Sequence, residues 1–365
     1  MSESAIVVGG GLIGLLTARE LVSRGVHVSV IEQGDVGRAA SWAGGGILSP
    51  LHPWRYPQAV YDLVHASQQL YPSLCAELAE ATGIDPEWTR SGLLVLGADI
   101  PVATAWAAAH REHGQVIAGP RVVDLEPALA PSAAPAFWLP EVAQVRNPRL
   151  LQALSADLIR RGVAFITHTQ VQGIDETGAG LTARADTGRW TAKTIVVTAG
   201  AWTARLCAPW GMLPITPVKG QMIQLATPPG TLRTIVLEGA RYVVPRRDGL
   251  VLVGSTLEDA GFDARTTPIA RAELVAFAQK LAPVLGASPV INQWAGLRPA
   301  APEGVPYIGA HPQVPGLYIN AGHFRNGVVM APASARLVVD QMLGVPPKIN
   351  HTPFAINRAN NMNLS

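Results

Sequence analysis

The pattern of apolar and polar positions at the start of the chain predicts a strand, a helix and a second strand. Residues 5–8 (AIVV) form a short unbroken apolar run, which is expected of a parallel strand that is covered on both faces. Leucines at helical spacing follow over residues 12–21, and residues 26–31 (VHVSVI) form the second strand. This order predicts a βαβ unit.

Three glycines occupy the turn between the first strand and the helix. Gly9, Gly11 and Gly14 form G-x-G-x-x-G, and Glu32 ends the second strand. The first glycine permits a tight turn, the second lets a pyrophosphate approach the backbone, and the third lets helix and strand pack closely. The helix N-terminus favours phosphates, and Glu32 can accept hydrogen bonds from a ribose. The unit predicts a dinucleotide site rather than a βαβ unit without a ligand, but it does not separate NAD from FAD.

Further turns that join a strand to glycines favour a flavin. Residues 44–46 (GGG) can let the backbone lie against a flat ligand, and their apolar neighbours argue against a surface loop. Residues 194–200 indicate another buried strand that ends in Ala-Gly, and residues 317–342 indicate strand, turn and helix. The helix after Gly327 would present N–H groups to the flavin edge near N1. The alternative is a crossover helix that only packs.

The middle of the chain has a different pattern. Residues 91–140 are rich in Ala, Pro and Leu, and residues 214–290 include alternating strands with a hairpin turn at Arg247-Asp248-Gly249. Antiparallel strands inserted between βαβ pieces predict an α/β fold (α+β overall), in which a Rossmann-like FAD-binding domain carries an inserted, mainly antiparallel-sheet substrate domain. The predicted division is a discontinuous FAD-binding domain of residues 1–90, 141–213 and 291–365, and a substrate-binding domain of residues 91–140 and 214–290.

Composition and charge exclude several classes of protein. The 365 residues are 48% hydrophobic and 15% charged, with a formal net charge of +2 and no block of like charge, so we expect no nucleic-acid partner. Cys75 and Cys207 match no metal or redox spacing, and we expect reduced cysteines and no metal. Because the start lacks a secretory signal and no apolar window is uninterrupted, we expect no membrane insertion and a cytoplasmic location.

Arg298 lies alone in a stretch that otherwise has the composition of buried structure. Residues 294–309 (WAGLRPAAPEGVPYIG) contain this cation and one acid, Glu303. An unpaired buried charge destabilises a protein by roughly several kcal/mol. We therefore expect an anion to pair with Arg298. The partner is either a distant carboxylate of the protein or a carboxylate that arrives from outside.

Six motifs together resemble the D-amino-acid oxidase family of FAD-dependent amine oxidoreductases. The similarity extends to the branch of that family that oxidises glycine and is associated with thiamine biosynthesis, and it covers nearly the whole chain. The motifs are VVGGGLIG with Glu32, PVKGQM around Lys219, YVVPR at residues 242–246, WAGLRP around Arg298, PYIG at residues 306–309 and GHFRNG at residues 322–327.

The resemblance implies a two-domain fold with non-covalent FAD extended across the nucleotide domain and the flavin ring at the interface. It implies that Arg298 binds a substrate carboxylate, with Tyr242 beside it and Arg325 near substrate and flavin. The C-terminal motifs contain no cysteine, which argues against a covalent flavin. The expected cofactor-binding residues are Gly9, Gly11, Leu12, Ile13, Gly14, Glu32, Gln33, Ala40, Ser41, Gly45, Gly46, Ile47, Leu48, Val171, Gly200, His323, Phe324, Arg325, Asn326, Gly327, Val328 and Val329.

The expected reaction is oxidation of a small amino acid at Cα, by hydride transfer to flavin N5. The family's substrates are glycine, sarcosine, D-alanine and D-proline. Dioxygen would give hydrogen peroxide, and the imine would hydrolyse to the 2-oxo acid and ammonia or enter thiazole synthesis. No residue is required as a general base, and His323 is interpreted as a turn histidine that bonds to backbone. The family also implies a homo-oligomer, a tetramer.

Two departures and two alternatives accompany this interpretation. Ala240 stands where a relative would place a histidine, and Leu257 where a methionine is expected, which affects the shape of the pocket. The first alternative function is a D-amino-acid or proline dehydrogenase that passes electrons to a quinone or a partner protein. The second is a flavoprotein subunit in tRNA modification or in a structural role.

Overall fold

Within residues 4–211 and 213–358, which the computed structural model describes, strands and helices alternate from the first residues onwards. The helices are α1 Leu12–Ser23, α2 Ala40–Ala43, α3 Gln58–Thr82, α4 Ile100–His110, α5 Val122–Leu125, α6 Asn147–Arg160, α7 Thr203–Cys207, α8 Pro268–Leu281 and α9 Gly327–Met342. The strands are β1 Ser4–Val8, β2 His27–Ile31, β3 Thr89–Arg90, β4 Leu93–Leu96, β5 Gln115–Ile117, β6 Ala136–Leu139, β7 Ala143–Gln144, β8 Ala164–Ile166, β9 Gly173–Thr177, β10 Gly180–Ala185, β11 Gly188–Ala192, β12 Thr194–Val197, β13 Thr216–Ala226, β14 Ile235–Glu238, β15 Arg241–Pro245, β16 Leu250–Gly254, β17 Val290–Ala300, β18 Tyr307–Ala310 and β19 Leu317–Ala321.

A six-stranded sheet has the strand order β18-β19-β12-β1-β2-β8. Together with the elements that cover its two faces, it forms what we call the first layer system. Its neighbours are parallel except at the edge, where β18 runs antiparallel to β19. Val7 faces a layer of helices α1, α3, α6 and α9, whereas Ile6 and Val8 face the small sheet β9–β11. Because both faces are covered, the strands are mainly apolar, as the apolar runs of the sequence predict.

The turn from β1 into α1 depends on glycine at two positions. Gly9 has a φ of 112°, which favours glycine, and α1 begins at Leu12 directly after Gly11. A Cβ on Gly14 would lie 1.9 Å from the carbonyl oxygen of Gly9, so only glycine lets α1 pack this closely on the turn. The predicted βαβ unit is therefore confirmed.

An eight-stranded sheet in the order β17-β13-β16-β15-β14-β4-β6-β5 forms the second layer system. Its pairs are antiparallel apart from β14 with β4. Helix α8 covers one face, where Leu274 packs with Ile223 and Val253. The predicted hairpin at residues 247–249 joins β15 to β16, with Gly249 at a φ of 87°. The fold class is confirmed.

The predicted division into domains stays a prediction. Its last boundary, at 291, falls on the second residue of β17, and this strand pairs with β13 from Ala300 to Val290 in the eight-stranded sheet. We therefore propose that the boundary be placed after Ala300. Across residues 4–211 and 213–358, no helix has the length and apolar character needed to span a membrane.

Candidate active site

A cavity of about 430 Å³ lies where the two layer systems meet. The carboxyl ends of β1, β2, β12 and β19 open into it, and β15 and β17 close the opposite end. Ligands of doubly wound sheets bind outside the carboxyl ends of the strands, so this is the expected position for a dinucleotide. We call the part at β1 and β2 the nucleotide end, and the part at β15 and β17 the substrate end.

Glu32 is hydrogen-bonded to two backbone N–H groups at the nucleotide end. Its Oε2 accepts a hydrogen bond from the backbone N–H of Gly10 at 2.7 Å, and its Oε1 accepts one from Gly34 at 3.0 Å. These contacts fix the carboxylate at the cavity edge as a hydrogen-bond acceptor. The first N–H of α1, on Leu12, donates to Ser41 Oγ at 2.9 Å. Gly11, at the helix N-cap, carries no capping side chain, and both Gly11 and Leu12 line the cavity, so the N-terminus of α1 borders it.

Buried polar side chains support the glycine segment 44–46. Asn147 Nδ2 donates to the carbonyl oxygens of Ser41 and Gly44, at 2.7 and 3.1 Å. Arg246 Nη2 donates to the carbonyl oxygen of Gly45 at 2.9 Å, and burial lowers the pKa of Arg246 to about 10, so it remains a cation at neutral pH. A Cβ on Gly46 would lie 2.0 Å from the Val145 carbonyl oxygen. The segment therefore needs its glycine to follow this path along the cavity.

His323 supports the turn that leads into α9. Its side chain is 2% exposed, and Nε2 lies 2.7 Å from Ser334 Oγ on α9. The interpretation that it bonds to backbone is therefore wrong, because the next turns of α9 place a hydroxyl within reach of the buried ring. Burial lowers the pKa of His323 to about 3, so the ring is neutral. Phe324, the next residue, has a φ of 47°.

Arg298 projects from β17 at the substrate end. Nη2 donates to Ser255 Oγ at 2.7 Å and Nη1 to the Thr256 carbonyl oxygen at 3.3 Å. Among the residues that the structure describes, no carboxylate lies within 4 Å of this guanidinium. Burial lowers the pKa of Arg298 and the neighbouring Tyr242 raises it. Because both hydrogen-bond partners are neutral, the Arg298 guanidinium has no direct ion pair among the described residues.

Gly220 determines where the Arg298 guanidinium lies. The two residues are on adjacent strands, with Val218 of β13 opposite Arg298 of β17. A Cβ on Gly220 would lie 2.0 Å from Arg298 Nη1 and 2.2 Å from Nη2. The guanidinium therefore rests directly on the Gly220 backbone, in space that any side chain would fill.

Tyr242 and Arg325 complete the substrate end. The Tyr242 ring lies against Gly45, where an added Cβ would come within 2.9 Å of it, and its hydroxyl donates to Met222 Sδ at 3.8 Å. Thioether sulfur is a weak acceptor, so this hydroxyl can donate to a better one. Arg325 Nη2 donates to the Ala240 carbonyl oxygen at 3.1 Å, and Arg325 lowers the pKa of Arg298.

The structure brings together all three residues predicted for the substrate, Arg298, Tyr242 and Arg325. Gly14, Leu48, Asn326 and Val329 were predicted for the cofactor but lie outside the cavity lining, because each is packed into the core behind it. The other predicted cofactor residues line the cavity; they are Gly9, Gly11, Leu12, Ile13, Glu32, Gln33, Ala40, Ser41, Gly45, Gly46, Ile47, Val171, Gly200, His323, Phe324, Arg325, Gly327 and Val328. The roles of all these residues stay predictions.

Sequence reasoning missed several residues of the site. Ser255 and Gly220 contact the Arg298 guanidinium, and no local motif reveals that pairing. Thr198, directly after β12, donates from Oγ1 to the carbonyl oxygens of Val8 and Gly9 at 3.0 and 2.9 Å. Its position after a buried strand was the available signal. Leu257 is 56% exposed and outside the cavity lining, so it does not shape the cavity.

The residues fit a bound FAD. The nucleotide end supplies a helix N-terminus, a glycine turn and a fixed carboxylate, and the start of α9 supplies a second helix N-terminus without a side-chain cap. A dinucleotide site beside two guanidinium groups that have no carboxylate partner among the described residues is typical of an oxidoreductase that acts on an anionic substrate. Comparisons with known proteins place it more narrowly.

A family model described as "FAD dependent oxidoreductase" (DAO) matches residues 4–341, and the chain belongs to this family. It is 45% identical to glycine oxidase of Pseudomonas putida over 359 residues, covering 97% of this chain and 98% of that protein. It is 31% identical to the bifunctional protein ThiO/ThiG of Nostoc sp., covering 93% of this chain and 52% of that protein. The crystal structure of glycine oxidase from Geobacillus kaustophilus superposes with a TM-score of 0.94 at 30% identity, covering 98% and 99%.

These similarities confirm two predictions made from the motifs. The cofactor is FAD, and the chain is an FAD-dependent amino-acid oxidase. The resemblance to the glycine-oxidising branch is confirmed as well.

Proposed function

We propose that the protein oxidises glycine, and with it sarcosine, D-alanine and D-proline, at Cα, and passes the electrons to dioxygen. One observation carries the proposal. The Arg298 guanidinium opens into the cavity without a carboxylate among the described residues, beside a tyrosine hydroxyl that has only a thioether as acceptor. The name of the Pseudomonas putida relative supports glycine as the substrate.

Substrate binding follows from the geometry of the substrate end. A guanidinium presents two parallel N–H donors to a carboxylate, so Arg298 fixes orientation as well as charge. The Tyr242 hydroxyl then donates to the same carboxylate, and the adjacent Arg325 reinforces the positive potential. Bringing an anion between these cations relieves their mutual repulsion, which we infer to favour a substrate that carries a carboxylate.

FAD would be held by Glu32, the N-terminus of α1, segment 44–46 and the N-terminus of α9. When bound, it supplies two-electron oxidation, removing a hydride from the substrate and delivering two electrons to dioxygen, which becomes hydrogen peroxide. The residues of the substrate end would position the substrate. The substrate gives up its Cα hydride and one N–H proton, and the imine that leaves the site is hydrolysed to the 2-oxo acid and ammonia.

The amine of the substrate must arrive unprotonated. Glu32 is the one carboxylate among the described lining residues, and it lies at the nucleotide end with both oxygens bonded to backbone. His323 is buried and hydrogen-bonded to Ser334, so it is no proton acceptor for the substrate. We therefore propose that no side chain acts as a general base.

The test is oxygen uptake with peroxide detection by the purified yellow holoenzyme. Uptake with glycine, and one peroxide formed per oxygen consumed, is the expected result. Anaerobic bleaching of the flavin by an amino acid without oxygen uptake in air would instead identify the dehydrogenase alternative. No bleaching by any of the four substrates would contradict the proposed function.

The physiological role and the assembly are further proposals. The similarity to a protein named ThiO/ThiG supports a role in forming the thiazole of thiamine. A strain that lacks this chain should then require added thiazole for growth. The homotetramer and the cytoplasmic location stay predictions, which light scattering and cell fractionation would test.

A further inference from the structure

A buried lysine lies on the strand that pairs with the strand of Arg298, the residue that we propose binds the substrate carboxylate and that we call the clamp. Lys219, on β13, is 4% exposed, and its Nζ is 2.9 Å from Glu258 Oε2. The main chains of the two residues also pair, since each backbone N–H donates to the other carbonyl oxygen at 2.9 Å. The register of β13 against β17 places Lys219 opposite Leu297, the residue before Arg298. The lysine of this ion pair thus belongs to β13, the strand that pairs with the strand of Arg298.

Glu258 is also connected to Arg298 through a single residue. Glu258 Oε1 accepts hydrogen bonds from Thr256 Oγ1 at 2.5 Å and from Gln221 Nε2 at 2.9 Å. The carbonyl oxygen of the same Thr256 accepts the hydrogen bond from Arg298 Nη1. Glu258 is therefore a carboxylate close enough to act on the Arg298 charge, yet its salt bridge is to Lys219.

We propose that Lys219 is a positioning residue for substrate recognition, because it holds and neutralises Glu258 and so keeps Arg298 available to the substrate carboxylate. The inference rests on the proposed clamp. Without the ammonium group, Glu258 retains a negative charge next to Arg298. That charge either draws the guanidinium away from Gly220 or lowers the positive potential that a substrate carboxylate meets.

The direction of the effect distinguishes this role from simple structural support. Lys219→Met removes the cation and leaves the acid, which should weaken carboxylate binding. Glu258→Gln removes the acid, which should leave carboxylate binding unchanged or strengthen it. The double variant removes both charges and should return towards the wild type. If the pair only stabilised the fold, all three variants would be impaired in the same direction.

The experiment titrates holoenzyme with acetate, a carboxylate that cannot be oxidised, and follows the change in flavin absorbance. KM and kcat for glycine are measured in parallel. We expect Lys219→Met to raise both the acetate Kd and the glycine KM roughly tenfold with kcat nearly unchanged, the size expected for one unpaired charge near the clamp. Lys219→Arg, which keeps the charge, and Lys348→Met, on the exposed C-terminal segment, should behave like the wild type.

Three results would overturn the inference. One is an unchanged acetate Kd in Lys219→Met, and another is a Kd in Glu258→Gln that rises as much as in Lys219→Met. If Lys219→Met does not fold, Glu258→Gln alone decides, and a raised acetate Kd in that variant is the third contradicting result. A wild type that neither binds acetate nor oxidises amino acids would contradict the proposed function itself, whereas an active wild type with these results rejects only the role of Lys219.

Discussion

The two ends of the cavity are built in opposite ways. The nucleotide end is made from consecutive residues, β1, the turn, α1, β2 and Glu32, and its one acid is bonded to two backbone N–H groups. The substrate end is assembled from distant parts of the chain, Tyr242, Arg298 and Arg325, and its cations have no carboxylate partner among the described residues. The acid of the nucleotide end thus has its partners within the protein, whereas we propose that the cations of the substrate end receive a charged partner only from a substrate.

This contrast indicates which end of the cavity is already formed without a ligand and which end would gain interactions when a ligand binds. The nucleotide end is fixed by steric limits at Gly9 and Gly14, so its shape exists before a ligand arrives. The substrate end holds a guanidinium partly removed from water, on the neutral oxygens of Ser255 and Thr256. We infer that a substrate carboxylate would give Arg298 a charged partner in place of these neutral oxygens, and that this would favour amino acids over amines.

The largest expected effect comes from breaking the substrate end alone. Arg298→Met should lower kcat/KM for glycine by at least about 100-fold, because a charge-assisted pair is lost. The flavin spectrum should remain, since the nucleotide end is untouched. Steady-state kinetics on the yellow variant measure this, and Arg189→Met, at an exposed position of β11, is the control. Wild-type kinetics in Arg298→Met would rule out the clamp.

Displacing the guanidinium without removing it should have the next largest effect. An added Cβ in Gly220→Ala would meet Arg298 Nη1 at 2.0 Å and move it, so we expect kcat/KM to fall between about 10- and 100-fold. Gly178→Ala is the matched control, because nothing lies within 4 Å of its Cβ. Equal kinetics for the two variants would show that the position of the guanidinium does not matter.

A substitution at the nucleotide end should instead weaken the binding of FAD. Glu32→Gln exchanges a carboxylate bonded to two N–H groups for a neutral amide, so the Kd for FAD should rise about tenfold. The KM for glycine in the loaded variant should be unchanged. Flavin fluorescence titration of the apoprotein measures the Kd, and Glu80→Gln, exposed on α3, serves as the control. A change in KM without a change in Kd would mean that the two ends are not independent.

The smallest expected effect concerns His323, at the turn between the two ends. Its pKa is lowered to about 3 in the folded protein, from about 6.5 when unfolded, so the unfolded chain binds the proton first as the pH falls. Its contribution to stability is present above pH 6.5, and between pH 6.5 and 5.5 it should decrease by about 1 kcal/mol.

Urea unfolding at the two pH values tests this. The free energy of unfolding should decrease less between pH 6.5 and 5.5 in His323→Gln than in the wild type, and the difference should be about 1 kcal/mol. In His27→Gln, a change at an exposed position of β2, the decrease should equal that of the wild type. An equal loss in all three proteins would show that His323 is not buried as the neutral form.

The same contrast explains how much the sequence predicts. The βαβ unit, the hairpin at residues 247–249 and Glu32 follow from local spacing, because turns and strand ends depend on neighbouring residues. The substrate end required resemblance to a family, since spacing cannot bring Tyr242 to Arg298. The contacts of Arg298 with Ser255 and Gly220 depend on strand register across β13, β16 and β17, which no local pattern reveals. The partner of His323, Ser334, was missed because it depends on how the turn before α9 folds the ring back onto that helix.

The measurement that tests the account most directly compares glycine with glycinamide as reductants of the enzyme-bound flavin under anaerobic conditions. The two molecules share the amine and Cα–H and differ in whether a carboxylate is present. If Arg298 binds that carboxylate, glycine should reduce the flavin, and glycinamide at matched unprotonated amine should do so at least about 100-fold less efficiently. Equal efficiency for the two would contradict the claim that the substrate end is completed by a carboxylate.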